Sequence, residues 1–298
     1  MKWLIVILST AAVGVCAYAQ EAQVLKVNVE LVQVHATVTN VEGQFIRNLK
    51  PDYFEVLEDG VPQHVESFAS DDAPLTIGII LDVGGTMKAN LPLAKEAGMA
   101  FLNVGRLDNE YFLVEFNNKA EVTQDLTRDF TKLRDHVAVL KGARDKAPYD
   151  GMYLGLDKLR DSTRSRKVLL VLTTGGYIQN EHSAAQVRNL ARQLDAQLFG
   201  VDLPTEIDIH GEASGKDDAS NVIEPVGGLN FVATSGSDYL NICRRIAVSV
   251  RNEYDIAYRS TNSAHDGKYR RVQVKLHLPK GAPELFVQAR DGYYAPGY

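Results

Sequence analysis

Residues 79–90 read Ile-Ile-Leu-Asp-Val-Gly-Gly-Thr-Met-Lys-Ala-Asn, and the reading of this stretch decides the fold. The run Thr76–Leu81 before it is apolar almost throughout, as expected of a parallel strand covered on both faces. The run ends at Asp82, followed by two glycines and the hydroxyl of Thr86. Beyond the turn, Leu91–Val104 carries Leu93, Ala97, Ala100 and Phe101 at helical spacing. A strand, an aspartate-bearing turn and a helix put Asp82 at the carboxyl end of a parallel strand, where open α/β sheets keep their ligands. Two chemistries suit such a turn. Its backbone amides can cradle a phosphate, or its carboxylate and hydroxyls can hold a hard divalent cation.

The texture on either side extends the first of these conclusions. Tyr111–Phe116, Lys167–Thr173, Gln197–Val201 and Asn230–Ala233 read as strands. Phe130–Leu140, Met152–Leu159, Ala184–Ala196 and Asp238–Val250 read as helices. The alternation predicts a Rossmann-like, doubly wound, mostly parallel sheet with helices on both faces.

The flanks are different. Val27, Val29 and Leu31, then Val34, Ala36 and Val38, alternate with a slip at Leu31-Val32 that predicts a bulge. Asn40–Gly43 reads as a turn, and Asp59-Gly60 as a hairpin turn between Phe54–Glu58 and Gln63–Phe68. Val272, Val274, Leu276 and Leu278 restore the alternation near the C-terminus. Neither flank is long enough to bury a core alone. They are expected to pair as one discontinuous antiparallel β-sandwich-like domain with the α/β domain inserted. The expected divisions are 1–19, 20–72, 73–252 and 253–298.

Residues 1–19 supply Lys2, an apolar run from Trp3 to Val15, and the small-x-small site Ala17-Tyr18-Ala19. That is the pattern of a secretory signal peptide cut before Gln20. A secreted or periplasmic location follows, with no membrane span after cleavage. One cysteine, Cys243, then remains, on the apolar stripe of a helix. The 298 residues carry a formal net charge of −6 and no block of Lys or Arg, which argues against a nucleic-acid partner. The polar, acidic stretch from Pro204 to Asn221 reads as a surface loop without calcium-loop spacing. The seven histidines show no ligand spacing, and no nucleophile elbow or phosphate loop occurs. Nothing in the sequence points to an enzyme.

The phosphate-holding turn of sugar kinases joins two strands, whereas a helix follows here. The strand, turn and helix instead resemble the opening of a von Willebrand factor type A domain. Lys167–Thr174 is similar to the family's central strand and metal loop. Asn48–Gln63 and Asp291–Pro296 resemble the flanks of a secreted acidobacterial group of such proteins. The family's metal pattern is Asp-x-Ser-x-Ser in the first loop, a threonine in the second and an aspartate in the third, holding Mg²⁺ or Mn²⁺. On that pattern this chain keeps Asp82, has Gly84 and Thr86 at the serine positions, Lys146 at the threonine position and Thr174 at the third-loop aspartate.

The resemblance therefore implies a degenerate adhesion site with no resident metal. If a metal did bind, Asp82 and Thr86 would hold it, with Asp145 or Asp150 in reach if the second loop shifted. Two arrangements stay open for Lys146: its ammonium in the cation's place, paired with Asp82, or the lysine turned to solvent, with Asp82 accepting hydrogen bonds from the turn amides and Thr86. The implied role is interaction with an unidentified protein, independent of metal, with an acidic partner group meeting Lys146. An atypical Mg²⁺- or Mn²⁺-dependent adhesion module is the other reading.

Overall fold

The computed structural model describes residues 31–69, 74–102, 108–129, 131–135, 146–174, 179–203 and 219–297. The expected leader at 1–19, the alternating residues before Leu31, the distal part of the helix expected at 130–140, Asp145 and residues 204–218 lie outside these segments.

The first flank forms β1 (Leu31–Asn40), β2 (Phe54–Glu58), β3 (Val61–Gln63) and β4 (Val65–Ala69). The middle of the chain runs β5 (Leu75–Asp82), α1 (Leu91–Leu102), β6 (Glu110–Phe116), β7 (Ala120–Thr127), α2 (Thr131–Asp135), α3 (Pro148–Lys158) and β8 (Arg166–Thr173). It continues with α4 (Ala184–Leu194), β9 (Ala196–Asp202), α5 (Ser220–Ile223), β10 (Leu229–Val232) and α6 (Gly236–Val250). The second flank forms β11 (Tyr254–Arg259), β12 (Tyr269–Leu276), β13 (Leu285–Ala289) and β14 (Gly292–Tyr294).

A six-stranded sheet in the order β10-β9-β8-β5-β6-β7 lies at the centre, parallel except for β7. Its two faces bury separate cores. Ile77, Ile79 and Leu81 of β5 pack with Phe101 of α1 and Ile242 and Ile246 of α6. Ile80 and Phe112 pack on the other face with Met152 and Leu156 of α3 and Leu190 of α4. Each such side chain contributes roughly 1.5–3 kcal/mol on burial. Helix α3 lies close to the sheet because Gly151 and Gly155 face it: a Cβ at Gly155 would stand 2.4 Å from Ile80, and one at Gly151 2.9 Å from Phe116. That approach brings the start of α3 over the end of β5.

The flanks interleave into two further sheets, β13-β1-β11-β4 and β14-β12-β2-β3. Val34, Ala36, Tyr254 and Ile256 of one pack against Phe54, Val56, Val272 and Val274 of the other, so the sandwich core draws on both ends of the chain. Buried within it, Glu58 accepts hydrogen bonds from Tyr258 (2.8 Å), Tyr293 (2.9 Å) and Ser260 (2.5 Å) and pairs with Arg270 at 3.2 Å. Ion pairs bolt the sandwich to the α/β part: Arg166 to Glu253 (2.6 Å), Arg192 to Asp291 (2.9 Å) and Arg290 to Asp195 (2.6 Å).

Several local expectations need correction. Leu31 and Val32 pair with Arg259 and Tyr258 without a register break. The irregularity lies instead between β11 and β4, at Ala257/Tyr258. Asp59 and Gly60 do turn with positive φ (48° and 83°), but the returning strand pairs with β2 only to Gln63 and then crosses to the other sheet as β4. Ala196 begins β9 instead of ending α4, because Asp195 adopts the left-handed conformation at the helix C-cap. Strand β7 was not expected. Ala219–Asn221, read as part of a loop, open α5 or lead into it. Among the described residues, no helix is long and apolar enough to cross a membrane.

Candidate functional site

The carboxyl ends of β5 and β8 converge with the segment entering α3. Asp82 is fully buried there, and so, to within a few per cent, are Lys146, Thr173 and Thr174. The Lys146 ammonium lies 2.7 Å from Asp82 Oδ2 and donates to Thr174 Oγ1 at 2.5 Å. The rest of the aspartate's shell is local. The Gly84 amide donates to Oδ1 at 2.8 Å; Thr173 Oγ1 (3.1 Å), the Thr174 amide (3.3 Å) and Thr174 Oγ1 (3.3 Å) donate to Oδ2. A buried carboxylate is tolerated only when paired and hydrogen-bonded, and Asp82 has both kinds of partner.

The backbone fixes this arrangement. Gly84 precedes a single 3-10 turn at Gly85–Met87, and the Met87 amide closes it onto the Gly84 carbonyl at 3.0 Å. The Val83 amide donates to the Phe116 carbonyl (2.8 Å), and the Ala147 amide to the Asn117 carbonyl (2.7 Å). The end of β6 thus anchors both the Asp82 turn and the Lys146 segment. Gly84 also makes room for the lysine: a Cβ there would stand 3.2 Å from Lys146 Cε and 3.3 Å from its Cγ. The missing side chain at 84 and the long one at 146 fit each other.

Of the expected site residues, Asp82, Gly84, Lys146 and Thr174 come together. Thr86 lies in the 3-10 turn by its backbone, and its side chain is outside the described residues. Two expectations fail. Lys146 is 1% exposed and spends its charge on Asp82, so in this conformation it offers nothing to an acidic group from outside. Asp150 is no reserve ligand: its carboxylate accepts the amides of Glu181 (2.9 Å) and His182 (2.8 Å) and pairs with the His182 ring at 2.7 Å.

Sequence reading missed three residues. Thr173 belongs to the shell of Asp82, a role signalled only by the adjacent hydroxyls Thr173-Thr174 at a strand end. Tyr239, in the first turn of α6, is fully buried and its hydroxyl has no hydrogen-bond partner. Burial, aided by the Cys243 thiol and the carboxylates of Asp202 and Asp82, pushes that hydroxyl well above the usual phenol range. Glu115, near the end of β6, is fully buried with neither carboxylate oxygen hydrogen-bonded. Its signal was a charge inside the otherwise apolar run Tyr111–Phe116. Among the described residues, no group of three or more His, Cys, Asp or Glu side chains could hold a metal ion.

No protein-family model matches this chain, and no curated relative matches it. Solved structures do. A von Willebrand factor type A protein from Catenulispora acidiphila superposes with a TM-score of 0.51 at 12% identity, over 91% of this chain and 75% of that one. Proximal thread matrix protein 1 from the mussel byssus gives 0.49 at 16% identity, over 65% of this chain. This chain covers 49% of the byssus protein, about half its length. BatB from Bacteroides thetaiotaomicron gives 0.45 at 14% identity, over 60% of this chain and 100% of that one. The architecture is thus a von Willebrand factor A-type α/β fold carrying antiparallel sheets. At these identities the likeness concerns the fold alone.

Proposed function

We propose that this chain is a non-catalytic, extracytoplasmic protein–protein interaction module whose adhesion site is degenerate and works without a divalent ion. The observation that carries this reading is the Lys146 ammonium 2.7 Å from Asp82 Oδ2. The fold family implies Mg²⁺ or Mn²⁺ at this place, and the residues present do not fit one. The site supplies a single carboxylate, Gly84 contributes no side-chain oxygen, and an ammonium already takes the charge of Asp82. A divalent ion a few ångströms from that ammonium would be repelled by several kcal/mol at the effective dielectric near a surface.

With the floor of the site buried, contact with a partner falls to the rim. Gly85, Lys88, Lys119 and Glu181 are exposed on the turns and loop at this end of the sheet. A secreted or periplasmic location is part of the proposal and is supported by the leader-like residues 1–19. The membership in the secreted acidobacterial group suggested by the flanking motifs is likewise a proposal.

The test is capture on the immobilised protein from the extracytoplasmic protein fraction of its own organism, in EDTA and again in millimolar Mg²⁺ and Mn²⁺. The reading expects the same proteins to be retained under all conditions. Retention that appears only with the ions would favour the metal-dependent alternative, and turnover of nucleotide or sugar would end the non-catalytic reading.

A further inference from the structure

Glu115 stands out among the buried carboxylates of the described residues. Asp82, Glu58 and Glu253 each have a cationic partner. Glu115 is 0% exposed, and neither Oε1 nor Oε2 takes part in a hydrogen bond. It shares its face of β6 with Tyr111 and Leu113, and it is in register with Leu81 of β5 and Glu121 of β7. Glu121 is a like charge. Thr123, at the irregular part of the β6–β7 pairing, also has a buried hydroxyl without a partner.

At the end of the neighbouring β5, Asp82 is buried and paired with the buried Lys146, and half-buried Glu110 at the start of β6 pairs with Arg128 and Arg164. The other charged groups described on α1, α2, β7 and the adjoining turns lie on exposed residues. They are Lys95 and Glu96 of α1, Lys132 of α2, Lys88 of the Asp82 turn, Lys119 of the β6–β7 turn and Asp125 of β7, which Lys158 holds at 2.6 Å. The side chains of Arg134 and Asp135 are outside the described residues. An unpaired buried carboxyl is tolerable when neutral and costly when charged.

Its position gives this chemistry a target. Phe116 and Asn117, the next two residues, supply the carbonyls that hold Val83 and Ala147. Those two residues flank Asp82 and Lys146. We propose that Glu115 is a proton-operated brace for the Asp82–Lys146 site: its carboxyl stays neutral while the end of β6 is closed, and ionisation favours release of the Phe116–Asn117 anchor. The regulatory meaning of the brace rests on the reading of that site as the binding face.

Burial, with Glu121 adding a smaller push, raises the Glu115 carboxyl from 4.5 to about 7. Once the anchor opens and water reaches the group, the ordinary value returns. The open form then binds fewer protons than the closed form between those two values. Opening therefore becomes more favourable as pH rises from 4.5 to about 7, and levels off above that. The expected change is roughly three-hundredfold in the opening equilibrium, at tenfold per pH unit over the 2.5 units between 4.5 and about 7.

The experiment is hydrogen exchange at the Val83 and Ala147 amides across this pH range, corrected for intrinsic exchange. It compares the wild type with Glu115→Gln, Glu115→Leu and Glu121→Gln. The wild type and Glu121→Gln should show the rise and plateau; both Glu115 variants should be flat. If Glu115→Gln fails to fold, Glu115→Leu, which leaves no buried polar group, serves alone, and the wild-type profile can still refute the proposal. A flat wild-type profile, or a Glu115→Leu profile that rises like the wild type, would overturn it. Loss of captured partners in the assay above, with this profile intact, would overturn the binding reading and leave the brace standing.

Discussion

Lys146→Met removes the ammonium and keeps most of the aliphatic chain that lies over Gly84. It leaves Asp82 charged and fully buried, with its donors reduced to the Gly84 and Thr174 amides and the two threonine hydroxyls. Removing one partner of a buried ion pair typically costs about 3–5 kcal/mol. The surviving donors place this case at the low end, about 3 kcal/mol, or roughly a hundredfold in the folding equilibrium. For a chain of this size that corresponds to a fall in Tm of about 6–12 °C.

The companion variants are Asp82→Asn and the double variant. If the ammonium and the carboxylate stabilise each other, the double variant should be more stable than Lys146→Met and the coupling should reach about 2 kcal/mol. Urea denaturation of all four proteins at one pH measures it. A cost below about 1 kcal/mol for Lys146→Met, with no coupling, is what a solvated surface pair gives. That result would refute the idea that the lysine occupies the cation's place.

Other expectations follow from the same structure. Gly84→Ser puts a Cβ 3.1 Å from Asp82 Oδ1 and 3.2 Å from Lys146 Cε, and should cost about 1–3 kcal/mol in the wild type but less beside Lys146→Thr, as urea midpoints would show. Glu58→Ala takes the buried carboxylate from Arg270, Tyr258, Tyr293 and Ser260; Arg270 keeps the Asn262 and Ala264 carbonyls and Asp266 at 3.8 Å, so the cost should fall at the low end for a buried pair, about 3 kcal/mol in the same assay. The Cys243 thiol, fully buried and pushed up to about 12, should resist a thiol reagent at neutral pH until the chain is unfolded. The stability difference between wild type and Glu115→Leu should shift against the wild type as pH rises from 4.5 to about 7, because the unfolded chain gives up that proton first.

The elements that were legible in the sequence have a strong pattern and a single environment. Thr76–Leu81 and Lys167–Thr173 are covered on both faces, so a continuous apolar run sufficed. Strand β7, Ala-Glu-Val-Thr-Gln-Asp-Leu-Thr, is an edge strand with mixed exposure and a broken register, and its polar content hid it. The crossing at His64 was invisible for another reason. Which sheet a strand joins is settled by partners nearly two hundred residues away, such as Ile256 opposite Phe68.

At the candidate site, comparison with a family pattern singled out Lys146, but only the structure shows it buried against Asp82 with Gly84 giving way. The role of Asp150 was misread because its partners, the amides of Glu181 and His182, are distant in sequence. Glu115 escaped notice since a charge near a strand end is usually solvated, and its burial depends on how neighbouring elements cover β6.

Whether Lys146 has replaced the divalent ion can be measured by calorimetric titration of Mn²⁺ and Mg²⁺ into the purified wild-type protein, beside the Gly84→Ser/Lys146→Thr variant. The wild type should give no saturable heat at millimolar ion, and the variant, whose vacated position regains two hydroxyls around Asp82, should bind saturably. Saturable binding to the wild type would contradict the replacement, because the ammonium of Lys146 could not then hold the place of the ion.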